Sequence, residues 1–336
     1  MKTCLVCGAS ATVFVREVPG YAGGMHGVYG CAECASQQAV EQPIPANLYE
    51  WIYREAPRLS GYRRYWELAQ SVKRASDPWA VLTASEDMYW AVGQALKSLP
   101  RGARVLEVGS GLGYLTHALR SAGYDAYGVD LSAQAVENAT RTFGPWYRVE
   151  DALAPANPNE ERWDAVVLTE VLEHLDDPTG FLAGLRSRLK PNGILVVTTP
   201  NRSYAPEWAV WTTELPPVHR TWISEKGALH LAERTGYRAE LVDFTAFSRN
   251  YFHEWWLARK GPSLGSPAFD KKGNLLRTAP FQERVKKAVL EGVTWIPGVQ
   301  AVFRALWNHL PNRPALRQRP TLALVLRPAG GEAGEE

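Results

Sequence analysis

Short, nearly continuous apolar runs alternate with helix-period patterns through the middle of this chain. Val105, Leu106 and Val108 read as a buried strand, Tyr114 to Ala122 as a helix, and Ala126 to Val129 as a second strand. From there strands and helices alternate at the spacing of a parallel sheet with crossover helices, which predicts an α/β fold. Further along, Ser224 to Thr235 reads as a helix stopped by Gly236, and Tyr237 to Phe244 as a strand. Thr321 to Arg327 is apolar except at its ends, as an inner strand should be. Upstream, Leu48 to Gln70 is a helical stretch carrying Tyr49, Trp51, Tyr53, Tyr62, Tyr65 and Trp66. Aromatics grouped in this way more often pack one domain on another than bind a ligand, so packing is their expected role. Ser85 is the expected cap of a helix running to Leu99, stopped by Pro100 and Gly102.

Beyond the fifth strand the pattern loosens, and between the last two strands lie residues that such a core does not need. Pro200-Asn201 opens a loop to His219 that holds Trp208, Trp211, Pro216 and Pro217. In the later insertion, Phe281, Val285, Ala288 and Val289 share one helix face, flanked by Lys286 and Lys287. Val299, Val302, Phe303, Leu306 and Leu310 repeat the pattern after Pro297. These helices suit a lid over a pocket or a homodimer contact. Peripheral membrane contact stays open, although the basic residues are few for it. Residues 329–336 are expected to be a disordered tail.

Composition narrows the class without naming it. The chain has 336 residues, 46% hydrophobic and 21% charged, enough to bury a real core. A net charge of +2 gives no electrostatic case for a nucleic-acid partner. No apolar run is long enough to span a bilayer, and no signal-peptide core opens the sequence, so a cytoplasmic location is expected.

All four cysteines fall in the first 34 residues, as Cys4-x-x-Cys7 and Cys31-x-x-Cys34. Each pair fits one tight turn that aims two sulfurs at a single ion, the spacing of a structural Cys₄ zinc site. The glycine-rich stretch between them (Gly20, Gly23, Gly24, Gly27, Gly30) suits a hairpin. A disulfide pair is the alternative, and nothing in the sequence suggests secretion. Lacking a hydrophobic core of its own, the segment is expected to need the metal to fold. His26 is expected in a solvent-exposed loop.

The run Leu106-Glu107-Val108-Gly109-Ser110-Gly111-Leu112-Gly113 leaves the first strand through three glycines, which let backbone approach a ligand closely. Asp130 ends the second strand, placed to accept two ribose hydroxyls. Such glycine turns are weak signals alone. Glu107 sharpens this one, because a carboxylate there would repel a pyrophosphate but suits a cationic ligand such as S-adenosylmethionine (SAM). With Val149-Glu150-Asp151-Ala152, Trp163 to Glu170 and Leu189-Lys190-Pro191-Asn192-Gly193, the chain resembles a class I SAM-dependent methyltransferase over roughly residues 85 to 245 and the last strand. The resemblance implies a Rossmann-like seven-stranded sheet with SAM held by Glu107, Gly109, Ser110, Gly111, Gly113, Asp130, Leu131, Asp151, Ala152 and Thr169. It divides the chain into a zinc ribbon (1–45), a helical linker or cap (46–98), a methyltransferase core (99–247), a helical insertion (248–320), a last core strand (321–328) and the tail.

Glu170-Val171-Leu172-Glu173-His174 follows the fourth strand. On a helix, Glu170, Glu173 and His174 would share a face and, with His219 from the later loop, could hold Mg²⁺, Mn²⁺ or Zn²⁺. The set is similar to the metal site of methyltransferases acting on the terminal ribose of small RNAs, and its first part resembles quinone-biosynthesis O-methyltransferases. Without an ion, His174 or His219 is the expected general base, and Glu170 joins them as a catalytic candidate. The ribbon and the Pro-Pro-x-His loop also resemble methyltransferases of polysaccharide and deoxysugar clusters. The expected function is O-methylation of a hydroxylated small molecule or sugar. C-methylation of a nucleotide sugar, RNA methylation and a catalytically silent SAM-fold binding module remain as alternatives.

Overall fold

The computed structural model describes residues 2–40, 44–45, 47–154, 162–205, 210, 212–248, 265–276 and 317–330. The amphipathic patterns of 281–310, Trp208, Trp211 and the tail from 331 lie outside these residues. Strands β1 (Thr12–Pro19) and β2 (Met25–Cys31) form the glycine-linked hairpin, followed by β3 (Gln37–Ala39). Helices α1 (Leu48–Glu55), α2 (Arg63–Arg74), α3 (Pro78–Ser85) and α4 (Asp87–Leu96) come next. Alternation then runs β4 (Arg104–Val108), α5 (Tyr114–Ser121), β5 (Asp125–Asp130), α6 (Ala133–Phe143), β6 (Tyr147–Val149), β7 (Trp163–Thr169), α7 (Pro178–Leu185) and β8 (Leu189–Pro200). The short β9 (Thr221–Trp222), α8 (Glu225–Arg234), β10 (Tyr237–Leu241), α9 (Thr245–Ser248) and β11 (Thr321–Pro328) follow.

Seven strands make the main sheet in the order β10-β11-β8-β7-β4-β5-β6. Only β11 runs against its neighbours, pairing antiparallel with both β10 and β8. Side chains alternate across the sheet, as a pleated backbone requires. Leu106, Val108, Val166, Leu168 and Leu195 face the layer of α7 and α8, while Val105, Ala165, Val167, Ile194 and Val196 face α4 and α5. Burial on both faces explains why these strands read as continuous apolar runs.

Several expectations change in detail. The aromatic stretch is two helices, because the chain turns at Gly61 (φ +80°) between Glu55 and Arg63. Ser85 does not cap a helix. It ends α3, where its hydroxyl donates to Leu82 O at 2.7 Å, and the next helix stops at Leu96. The strand from Tyr237 ends at Leu241. His26 is buried on β2, not exposed on a loop.

The ribbon shares its core with the rest of the molecule. Strands β1-β2-β3-β9 form one four-stranded sheet, so its last strand comes from beyond β8 in the sequence. Cys4, Val6, Cys31 and Cys34 pack in the same cluster as Ile223, Ala228 and Leu231. Among the described residues no helix is long and apolar enough to cross a membrane.

One buried ion pair ties the helical cap to the last strand. Asp87, at the start of α4, accepts from Arg319 Nε at 3.3 Å and from Thr321 Oγ1 at 2.7 Å, and all three residues are buried. Removing one partner of such a pair leaves a desolvated charge. Asp87→Ala is expected to lower the unfolding free energy by about 3–5 kcal/mol, read from urea denaturation midpoints.

Candidate active site

The sheet's connections diverge on either side of β4 and β7, and the turns leaving both strands open into one cavity of about 980 Å³. Gly109, Gly111 and Gly113 all have positive φ (75°, 46° and 82°). Their roles differ. A Cβ on Gly109 would stand 2.7 Å from Val171 Cγ2, and one on Gly113 2.6 Å from Ala139 Cβ. At Gly111 the nearest atom would be Tyr53 Oη at 3.5 Å. Gly111 therefore faces the cavity, whereas Gly113 closes helix against strand and, alone of the ten residues expected to hold the cofactor, does not line it.

Around this turn the carboxylates are already organised. Asp130 accepts from Gly111 N and Ser132 N, each at 2.8 Å, so it is oriented by the turn it faces. Glu107 is buried and accepts from the amide and hydroxyl of Thr116 in the first turn of α5. Burial pushes its carboxyl up to about 8, against those hydrogen bonds, which lower it. Asp151 accepts from Leu153 N at 2.9 Å. Leu131, 76% exposed, and the buried Ala152 also line the cavity.

The other half of the cavity is walled by tyrosines. Tyr21, Tyr49, Tyr53, Tyr62 and Tyr65 line it, so the aromatic stretch adds a cavity wall to its expected packing role, in which Tyr49, Tyr62 and Tyr65 also pack against the core. Trp51 does pack, 6.0 Å from Phe269 between ring centroids. Burial raises the Tyr49 phenol to about 12 and lifts Tyr53, Tyr62 and Tyr65 further. None of these phenols can serve as a base near neutral pH.

After β7 the chain does not begin an α-helix. Glu170 takes a left-handed conformation (φ 56°), its N–H donating to Thr198 O at 3.0 Å, and a single 3₁₀ turn covers Leu172–His174. The helical face expected for Glu170, Glu173 and His174 is thus absent, and a different set converges. Ligand atoms of Glu173, His174 and His219 lie within 4.8 Å of one another, and Glu170 stands outside that group while lining the cavity. Burial, then repulsion from Glu173, holds the Glu170 carboxyl well above the usual range.

Glu173 is fully buried behind the cavity wall, accepting from Thr199 Oγ1 at 2.9 Å. His174 Nδ1 lies 2.7 Å from Val218 O, so that nitrogen carries the proton and Nε2 keeps its lone pair. His219 is buried, with no hydrogen-bond partner for Nδ1 among the described residues, and its ring meets that of His174 edge-on at 4.7 Å. Burial, then the neighbouring His174, holds His219 well below its ordinary value. Tyr49, 6.3 Å from His174 and edge-on, is a site residue that sequence reasoning assigned elsewhere. Thr199 and Val218 carried no signal, because each acts through a contact made only in the folded chain.

The cysteines form a second, separate cluster. Cys4 Sγ lies 3.8 Å from Cys34 Sγ and Cys7 Sγ 3.6 Å from Cys31 Sγ, with all four within 4.8 Å. These spacings are far beyond the roughly 2.05 Å of a disulfide. They match the edge, about 3.8 Å, of a tetrahedron of thiolates around an ion at about 2.3 Å. His26 is not part of the group.

A family model for a methyltransferase domain matches residues 87–242. Similar proteins include the ubiquinone biosynthesis O-methyltransferase of Haemophilus ducreyi, 34% identical over 111 residues, 30% of this chain and 47% of that protein. The same enzyme of Methylococcus capsulatus is 38% identical over 107 residues, 30% of this chain and 45% of that protein. The chain thus spans a little under half the length of each. Among solved structures, a SAM-dependent methyltransferase from Archaeoglobus fulgidus is 16% identical and covers 71% of this chain and 93% of its own, at a TM-score of 0.41.

The seven-stranded sheet with its antiparallel β11, the glycine turn after β4 and this family match define residues 87–242 as a class I methyltransferase domain. Within that class, the domain resembles the O-methyltransferases of quinone biosynthesis.

The buried Glu107 makes a prediction about stability. Its folded value, about 8, exceeds its ordinary 4.5, so the folded chain binds the extra proton between those limits. Stability from this group is full below pH 4.5 and is lost as pH rises through 8. Without ligand, Glu107→Gln is expected to be more stable than the parent at pH 8, on the order of 3 kcal/mol. The two proteins should converge near pH 4.5, as measured by chemical denaturation at both pH values.

Proposed function

We propose that the chain is a SAM-dependent O-methyltransferase acting on a hydroxylated small molecule or sugar. The observation that carries this reading is the shared cavity, which joins the glycine turn and Asp130 to His174 and His219 under a tyrosine wall. Glu107, Gly109, Ser110, Gly111, Asp130, Leu131, Asp151, Ala152 and Thr169 would hold SAM, with Asp130 on the ribose and Asp151 at the adenine. When bound, SAM supplies an electrophilic methyl group. The tyrosine-walled half receives the acceptor ring, whose faces stack on the aromatic side chains while its hydroxyls reach the histidines. His174, with Nδ1–H held by Val218 O, takes the acceptor proton on Nε2, and neutral His219 keeps a second acceptor beside it. Positioning in a site shielded from water supplies most of the remaining rate.

A second reading of the same residues is favoured by one observation. Glu173, His174 and His219 offer two imidazoles and a carboxylate within 4.8 Å, a donor set that suits a divalent transition metal. An ion there would lower the pKa of the acceptor hydroxyl. The readings separate by chelation: turnover that survives a chelator excludes the ion, and turnover restored by Mn²⁺ or Mg²⁺ requires it.

Asp130→Ala is expected to weaken SAM binding by about 1.5–3 kcal/mol in calorimetry, the scale of charge-assisted hydrogen bonds. An unchanged affinity would remove Asp130 from the site. His174→Ala and His219→Ala should bind SAM within about twofold of the parent. Release of S-adenosylhomocysteine, measured with catechols and free sugars as acceptors, should fall about 10²–10⁴-fold in each. Full activity in both variants sinks the base assignment.

The thiol cluster supports a structural zinc ion on Cys4, Cys7, Cys31 and Cys34. Freshly purified protein should contain about one zinc per chain by elemental analysis, and the Cys31→Ser protein should contain none. Stoichiometric binding that persists in Cys31→Ser would place the metal elsewhere.

A further inference from the structure

We propose that the cysteine ribbon is a positioning element of the acceptor site: through Ser36 and Ser224 it fixes the segment 219–224 and thereby the placement of His219. The proposal rests on His219 working in that site and goes beyond it, by assigning the ribbon a part in the chemistry.

Two joints connect the ribbon to this segment. The first is backbone. Strand β3 pairs with β9 through Gln37 opposite Trp222 and Gln38 opposite Thr221, and Ala39 N donates to Arg220 O at 2.9 Å. On its other side Arg220 N donates to Glu173 O at 2.7 Å. Arg220, adjacent to His219, is therefore gripped between the ribbon and the 3₁₀ turn that carries Glu173 and His174. A slip of β3 against β9 would be felt on both histidines.

The second joint runs from the cysteine turns to α8. The Ser224 hydroxyl donates to Cys34 O and caps α8 by accepting from Gly227 N at 2.9 Å. Ser224 N donates to Ser36 Oγ at 3.1 Å. At the far end of the helix, Arg234 donates to Val6 O at 3.0 Å, in the other cysteine turn. There is no slack between these parts, since a Cβ on Gly227 would stand 2.1 Å from Ser36 Oγ. Ser36, Ser224, Thr221 and Trp222 are all buried, so water cannot replace these bonds when they break.

A ribbon that only added stability could rest on any face of the domain. Here the bonds of Cys34, Ser36 and β3 fall on Arg220, Thr221, Trp222 and Ser224, next to His219, while other ribbon bonds reach Pro216, Lys226, Arg234, Ala268 and Phe269. Ser36 and Ser224 are positioning residues, acting on the acceptor through His219 and never touching it. The cysteine cage sets their register, because Cys34 lies two residues from Ser36 and its carbonyl receives the Ser224 hydroxyl.

The test uses the full chain. Ser36→Ala removes the acceptor of Ser224 N–H and the hydroxyl contacts to Ser224 Oγ and the Cys34 thiol, but keeps all four cysteines and the Ser224 cap. The expected result is one zinc per chain and a SAM affinity within about twofold, with amide hydrogen exchange over 219–224 at least about tenfold faster, as for loss of buried hydrogen bonds. The His219 side-chain resonance in histidine-labelled NMR spectra should shift, and withdrawing zinc from the parent should move the same amides and the same resonance. Unchanged exchange and an unchanged His219 signal in both arms overturn the proposal. So does a loss of zinc that unfolds the whole chain, because the ribbon then acts on stability alone. A protein that binds no SAM would refute the proposed function, while the exchange and NMR readouts still decide this point.

Discussion

The parallel sheet imposes the constraint on which the molecule turns. Its chain starts at β4, builds outward through β5 and β6, then returns to build β7 and β8 on the other side. Where the winding reverses, two crossover connections diverge and leave a crevice at the carboxyl ends of the strands. Whatever follows β4 and β7 must face that crevice. The glycine turn follows one and Glu170 the other, and the tyrosines of the hairpin and the N-terminal helices, with His219 from the segment after β8, close the same cavity.

Burial governs protonation in this crevice. Glu107 and Glu170 are raised, the tyrosines are raised and His219 is lowered, all chiefly because the charged forms lose water. The groups nearest the reacting space thus favour their neutral forms. A cationic cofactor entering such a place meets fixed dipoles and carboxyls that can yield a proton, in surroundings where electrostatic effects are strong. The His174 tautomer is set by the Val218 carbonyl at Nδ1, and its Nε2 lies 3.9 Å from Glu173 Oε1.

The sequence made the core legible because its signals are local. Strands buried on both faces show as apolar runs, and glycines at positive φ mark a turn wherever they fall. The same logic failed where a residue's role depends on distant partners. Tyr49, Tyr53 and Tyr62 carry the composition of a packing surface, and only the fold turns them toward the cavity. Glu170-x-x-Glu173-His174 has helical spacing, but β8 captures the Glu170 amide and leaves a 3₁₀ turn instead. Ser85 looks like a cap, yet Glu86 has the extended conformation that starts the next helix. Nothing near residues 1–45 announces Ile223, Ala228 and Leu231 as packing partners of the cysteine turns.

The pairing of β3 with β9 also has a history in time. Ser36 and Ser224 are 188 residues apart, so the four-stranded sheet cannot close until nearly the whole parallel core has left the ribosome. At roughly 5–20 residues per second, that is a wait on the order of ten to forty seconds. Throughout it the cysteine hairpin exists with its third strand's outer edge unpaired, a template for mispairing with other nascent chains. An ion taken up early would rigidify the hairpin before its partner arrives, and metal supply during synthesis would then bear on the yield of folded protein as much as on the finished structure.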